Sequence, residues 1–342
     1  MAVSVAVQLT TRCNLRCAHC YVGAPGDDLP LGRLTRVADE AATVACDSLE
    51  FTGGEPTLHP HFPDILRILE ERGLSFSLVT NGWHFEEFFP VLRPYREHLR
   101  SLSFSLDGPD EATHDSVRGA GSFRRVLAAA RLCTREGIPF GLRLTVTRSA
   151  LAHLEAVRQL AGRMGAAALM LMPLLPTPRM AEAGLLPTPQ ELAQVSAWVC
   201  ARRAHSGPRL VLTVGFFTLE VARPCLSLAG EFLMMTTRGD ASFCCHLADY
   251  GGSDDRSDLL GNLDAISLAE AARCARALGR ALAEEKEARR HGGELGFLDH
   301  HPCWYCLKRF GKVEWLREFP GSPWAQDLLA TARARGAPGK RP

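Results

Sequence analysis

An α/β fold follows from two features of this 342-residue sequence. Short apolar or β-branched runs alternate with helix-length amphipathic segments through the first half, and several of those segments close on glycine, as a helix C-cap does. The runs "VSVAVQL", "DSLEF", "LSFSLVT", "LRSLSFSL", "FGLRLTV" and "AALMLMP" read as six strands. Between them "LGRLTRVADEAATVA", "FPDILRILEERG", "FEEFFPVLRPY", "GSFRRVLAAARLCTREG" and "LAHLEAVRQLAGRMG" read as helices. Repeated right-handed βα units give an open doubly wound sheet or a barrel, and in both the ligand sites lie at the carboxyl ends of the strands.

After the sixth strand the composition changes. Residues 173–189, "PLLPTPRMAEAGLLPTP", carry too many prolines for a helix or a central strand and read as a linker or lid. Helix returns in "PTPQELAQVSAWVCARRAH", "RLVLTVGFF" reads as a strand, and "FLMMTTRGDASFCC" reads as a hairpin turning at Arg238 to Asp240. A helix is predicted around "SLAEAARCARALGRALAEEKEARR", and the basic end "ARARGAPGKRP" is too poor in apolar residues to pack.

Composition excludes several classes. With 39 basic and 38 acidic residues the formal charge is +1, without the concentrated positive field that nucleic-acid binding needs. The longest apolar stretch, "GAAALMLMPLLP", falls well short of the roughly 20 residues of a membrane-spanning helix. No basic segment precedes an apolar one at the N-terminus, so the expected location is cytoplasmic. Only four basic residues are lysines, a bias toward arginine with no functional content. Twelve cysteines in a reducing compartment point to metal or redox chemistry instead of disulfides.

In "TTRCNLRCAHCY" the cysteines Cys13, Cys17 and Cys20 follow the first strand directly. A closed structural zinc site takes four ligands, and the next cysteine, Cys46, lies in a helical pattern. Three thiolates on a [4Fe-4S] cluster leave one iron open, where a cofactor can bind. This C-x3-C-x2-C motif, with His19 before and Tyr21 after Cys20, resembles the signature of the radical S-adenosylmethionine (SAM) superfamily. Further segments share the resemblance: "FTGGEP" (51–56), "TNG" (80–82), "SFSLDG" (103–108), "LRLTV" around Arg143, and "THDSVRGAGSF" (113–123), the last without an assigned role.

The resemblance implies a partial (βα)6 TIM-like barrel over residues 1–205. It also implies that Cys13, Cys17 and Cys20 hold the cluster and that Gly53, Gly54 and Glu55 receive the SAM amino group, with Asn81 beside them. Ser105 and Asp107 would face the SAM ribose or carboxylate, although Asp-Gly is also an ordinary turn pair. Arg143 lies in an apolar run, where a guanidinium needs an anion: the SAM carboxylate or a structural partner. The implied chemistry is one-electron cleavage of SAM to a 5′-deoxyadenosyl radical, which takes hydrogen from an unactivated carbon, with a flavodoxin or ferredoxin as reductant.

A second cysteine set comprises Cys225, Cys244 (in a C-x13-G-x4-C spacing with Gly239), Cys303 and Cys306. A C-x2-C pair and a hairpin could close four-thiolate ligation of either zinc or an iron-sulfur centre. The spacing resembles the SPASM and twitch domains, and the lack of later cysteines resembles the shorter twitch form with one auxiliary [4Fe-4S] cluster, here an α+β unit over 206–320 ahead of a tail at 321–342. The Gly-x4-Cys register favours Cys244 as the ligand over Cys245, and family members that epimerise an α-carbon use a free cysteine as hydrogen donor, which makes Cys245 the candidate. Cys46, Cys133, Cys200 and Cys274 read as packed apolar residues. Trp304 and Tyr305 are expected to shield the auxiliary centre, and the pairs His59/His61 and His300/His301 read as polar loop residues.

The expected function is modification of a ribosomally made peptide by crosslinking, epimerisation or thioether formation, with any leader-recognition domain on a separate protein. The alternatives are a small-molecule dehydrogenase or epimerase of natural-product biosynthesis and, in another class, a non-enzymatic electron-transfer or zinc-scaffold protein.

Overall fold

The computed structural model describes residues 2–22, 26–202, 207–218, 225–251 and 253–334. All six expected strands form: β1 Ser4–Thr10, β2 Ser48–Gly53, β3 Ser75–Thr80, β4 Leu99–Ser105, β5 Gly141–Val146 and β6 Ala168–Pro173. Each pairs in parallel with the next. The intervening helices are α1 Leu31–Glu40, α2 Phe62–Glu71, α3 Phe85–Leu92, α4 Glu111–Arg118, α5 Ser122–Glu136 and α6 Leu154–Arg163. The result is a partial TIM-type barrel. Along β1, Val5, Val7 and Leu9 join the buried apolar layer with Leu34, Val37 and Phe51, while the alternate residues Gln8 and Thr10 are also buried. Asp110 caps α4 by accepting from Thr113 N–H at 2.8 Å, which fixes where that helix starts.

The 173–189 stretch contains a single helical turn and a half, α7 Pro178–Glu182, before α8 Pro189–Arg202. Beyond it, β7 Arg209–Leu212 adds in parallel to β6, so the barrel sheet runs past the expected division. The division between 205 and 206 itself lies outside the described residues. The predicted hairpin forms as β8 Phe232–Met235 and β9 Asp240–Ser242, antiparallel, with β10 Leu259–Asn262 beyond them. β8 also pairs in parallel with β1, giving one ten-stranded sheet in the order β10-β9-β8-β1-β2-β3-β4-β5-β6-β7.

The later helices are α9 Leu268–His291, α10 Pro302–Arg309 and α11 Pro323–Ala334. Residues 335–342, the end of the expected tail, lie outside the described residues. Its beginning packs: Trp324 is buried, donates from Nε1 to Pro187 O at 2.8 Å, and meets Trp304 with ring centroids 4.8 Å apart. Two cysteines expected in apolar packing, Cys200 and Cys274, are exposed on α8 and α9 instead, whereas Cys46 and Cys133 are buried. Among the described residues no helix is long and apolar enough to cross a membrane.

Candidate functional site

The loop after β1 is fastened before it presents its thiols. Thr11 Oγ1 accepts from Gly26 N–H and Asp27 N–H, each at 2.9 Å, and Arg12 donates to Asp28 Oδ1 at 3.0 Å and Leu58 O at 2.7 Å. Ala18 N–H donates to Val117 O at 2.8 Å, tying the loop to α4. Cys13 and Cys20 are exposed and Cys17 is buried, and all three line one cavity of about 440 Å³ at the carboxyl ends of the strands. Burial pushes the Cys17 thiol up to about 11 against the pull of Arg118.

The end of β2 closes onto this loop. Gly54 N–H donates to Thr10 O at 2.7 Å and Glu55 N–H to Arg12 O at 2.8 Å. A Cβ on Gly53 would fall 2.2 Å from Thr10 O, and one on Gly54 would fall 2.2 Å from Arg12 O, so only glycine permits this approach. Glu55 is buried beside the cavity: Oε1 accepts from the Thr57 and Thr80 hydroxyls, each at 2.7 Å, and Oε2 from Asn81 N–H at 2.7 Å. Burial raises its carboxyl, and those donors oppose the rise. Asn81 Nδ2 donates to Asn14 Oδ1 at 2.9 Å and stands 3.9 Å from Cys13 Sγ.

Ser105 and Arg143 line the same cavity, but Asp107 does not. Asp107 is wholly engaged behind the wall, taking Arg118 Nε at 2.5 Å and Thr145 N–H at 2.8 Å. Burial pushes its carboxyl up, but Arg118 and His19 more than offset that and hold it below its ordinary value. The side chain that reaches the cavity is therefore Arg118, which sits in the "THDSVRGAGSF" segment and went unassigned from sequence. Arg179 of α7 and His246 also line the wall and carried no sequence signal of their own.

Arg143 is the unusual member. Its Nε is buried without a hydrogen-bond partner, and among the described residues no carboxylate lies within ion-pair distance of its guanidinium. Burial lowers its pKa from the ordinary value, with Glu50 and Cys245 near enough to oppose that. A guanidinium kept in a cavity wall without an anion fits a ligand that brings one.

The second cysteine set converges as well. Burial drives the thiol of Cys225 up to about 11 and those of Cys303 and Cys306 well above the ordinary thiol value, and each is raised further by its neighbours in the set. Cys244 moves the other way: the adjacent Cys245 thiol lowers it, while Cys245 itself is pushed well above the ordinary thiol value. Cys245 packs against Ala6, Phe232, Met234 and Ala248 and is outside the cavity wall. Trp304 and Tyr305 are both buried. Among the described residues no three His, Cys, Asp or Glu side chains are arranged to hold a single metal ion. A four-iron centre makes a different demand, since each thiolate takes its own iron corner.

Comparison with known proteins extends this picture. The family description "Radical SAM superfamily" matches residues 7–159. An AdoMet-dependent heme synthase of Methanosarcina barkeri is 31% identical over 69% of this chain and 68% of its own length. A PqqA peptide cyclase of Gluconobacter oxydans is 26% identical over 72% of this chain and 71% of its own. The solved structure of anSMEcpe with bound AdoMet superposes with a TM-score of 0.66 at 17% identity, covering 84% of this chain and 86% of that one, which shows the shared fold. The alignment with a second heme synthase, from Oleidesulfovibrio alaskensis, spans 51% of that protein.

Proposed function

Because the chain belongs to the radical SAM superfamily, whose enzymes use a [4Fe-4S] cluster and SAM, we propose that it cleaves SAM reductively at a cluster on Cys13, Cys17 and Cys20 and removes hydrogen from a carbon of a ribosomally made peptide. The observation that carries the reading is Arg143, whose buried Nε has no partner and which shares the cavity wall with the three thiols. When bound, the reduced cluster and SAM supply a carbon-centred radical able to attack an unactivated C–H bond.

The chain's own residues do the rest. Gly53 and Gly54 let the β2 end approach the thiol loop, Glu55 offers an acceptor to an amino group with Asn81 beside it, and Arg143 and Ser105 receive a carboxylate and hydroxyls. Asp107 holds Arg118 in place instead of meeting the cofactor. Leu174, Leu175 and Arg179 of α7 complete the cavity wall. In the unit at 206–320, Cys225, Cys244, Cys303 and Cys306 hold one auxiliary cluster of twitch type. Cys245 stays the candidate hydrogen-atom donor to a substrate radical, set beside Cys244 and outside the cavity wall.

Two observations support a peptide: the relation to a peptide cyclase, and a cavity near the low end of the roughly 300–1,000 Å³ of small-molecule sites, which a cofactor and one reacting side chain would fill. The relation to heme synthases favours the second reading, a small-molecule substrate. Anaerobic reconstitution followed by SAM and dithionite is expected to release 5′-deoxyadenosine. No release from a chain with a full iron complement would overturn the proposal. Stimulation of that release by a precursor peptide, or by a small molecule such as a porphyrin, decides between the substrates.

A further inference from the structure

One imidazole stands between the two cysteine sets. His246 Nδ1 lies 3.3 Å from Cys303 Sγ, and the same residue lines the 440 Å³ cavity. Tyr21, next to the last thiol of the β1 loop, packs edge-on against the His246 ring with centroids 6.4 Å apart. Tyr21 is held in turn: it stacks on Tyr250 at 6.3 Å, its hydroxyl donates to Cys245 O at 3.2 Å, and its own carbonyl accepts from Gly251 N–H at 2.8 Å. The ring is thus fixed by the first thiol loop on one side and by a thiol of the second set on the other.

We propose that His246 is a positioning residue that sets the reduction potential of the auxiliary centre. The inference rests on the reading of Cys303 as one of that centre's four ligands. An iron-bound thiolate carries no hydrogen, so the 3.3 Å pairing requires Nδ1–H to donate to sulfur. A donor on a ligating sulfur favours the reduced centre, which carries one more negative charge, and so raises its potential. Among the described residues no protein group pairs with the other ring nitrogen, Nε2. The device places the tuning group where an occupant of the cavity can touch it.

The test is an electron paramagnetic resonance redox titration of the anaerobically reconstituted full chain. His246→Phe is expected to lower the auxiliary midpoint potential enough to change the reduced-to-oxidised ratio tenfold at a fixed potential, about 59 mV for one electron. Iron per chain and the spectrum of the other cluster should stay unchanged. His246→Asn, which puts an amide N–H near the place of Nδ1, is expected to restore most of the wild-type potential. An unmoved potential in His246→Phe at wild-type iron content overturns the inference alone, as does an Asn variant shifted as far as the Phe one. Iron for only one cluster in the wild type, roughly four per chain, overturns the ligand reading and the inference together.

Discussion

Replacing Arg143 by methionine separates a ligand-binding cation from a structural one. The guanidinium has a buried Nε with no partner, and no carboxylate among the described residues lies within ion-pair distance. Methionine keeps the apolar stem and deletes the charge. If the SAM carboxylate is the missing anion, the variant loses a charge-assisted hydrogen bond worth about 1.5–3 kcal/mol, which weakens SAM binding about 10- to 150-fold. The same change removes a desolvated, unpaired charge, so the ligand-free chain should unfold at the same temperature as wild type or higher. Equilibrium dialysis of SAM against the reconstituted proteins measures the first effect, and thermal unfolding measures the second. SAM affinity within about threefold of wild type would refute the reasoning, because the energies above leave no room for so small a change. A stability loss of about 3 kcal/mol would refute it differently, since a broken buried ion pair costs that much.

Four further outcomes are expected. Gly54→Ala puts a Cβ 2.2 Å from Arg12 O and should cost about 1–3 kcal/mol in urea unfolding, with reduced iron loading after reconstitution; unchanged loading would argue that the β2 end does not shape the thiol loop. Cys225→Ala combined with Cys244→Ala should halve the iron per chain and leave the other cluster's spectrum intact, and full iron content would remove the auxiliary assignment. His114 is buried, and burial lowers its pKa from 6.5 to about 4, so on acidification the unfolded chain takes up its proton first. Its contribution is therefore complete above about pH 6.5 and is lost as pH falls toward about 4, by up to about 3 kcal/mol; His114→Leu should flatten the stability curve over that window, and an unchanged slope would assign the acid loss to other groups. Trp324→Ala should cost about 3–5 kcal/mol by emptying the contact with Trp304 and freeing the Pro187 carbonyl, checked by denaturant midpoint.

The six barrel strands were legible because each carries its own period-two or β-branched signal, and the helices between them because their apolar faces repeat at helical spacing. Partners were not legible. "RLVL" reads as a strand, yet nothing local tells that it lies beside β6, and the four residues of β8 give no hint of a parallel match with β1. At the site, the thiols and the Gly-Gly-Glu corner announced themselves through residue type and spacing. The ion pair of Asp107 with Arg118 did not, because it spans a strand end and the last turn of α4 and depends on how that corner packs. His246 was hidden for a similar reason: it matters through a sulfur 57 residues away in sequence.

The parallel match between β8 and β1 also decides what can be cut from this chain. Val5, Ala6 and Val7 find partners on β8 through the register Ser4↔Phe232 to Val7↔Met235, so the first strand of the barrel is an interior strand only because the C-terminal unit supplies its neighbour. A chain ending after residue 218 would leave that flank bare, a short apolar row of unmatched amides and carbonyls that invites other chains to add to it. The two cysteine sets are thus carried on one hydrogen-bonded fabric, and the halves of this protein cannot be treated as separable parts.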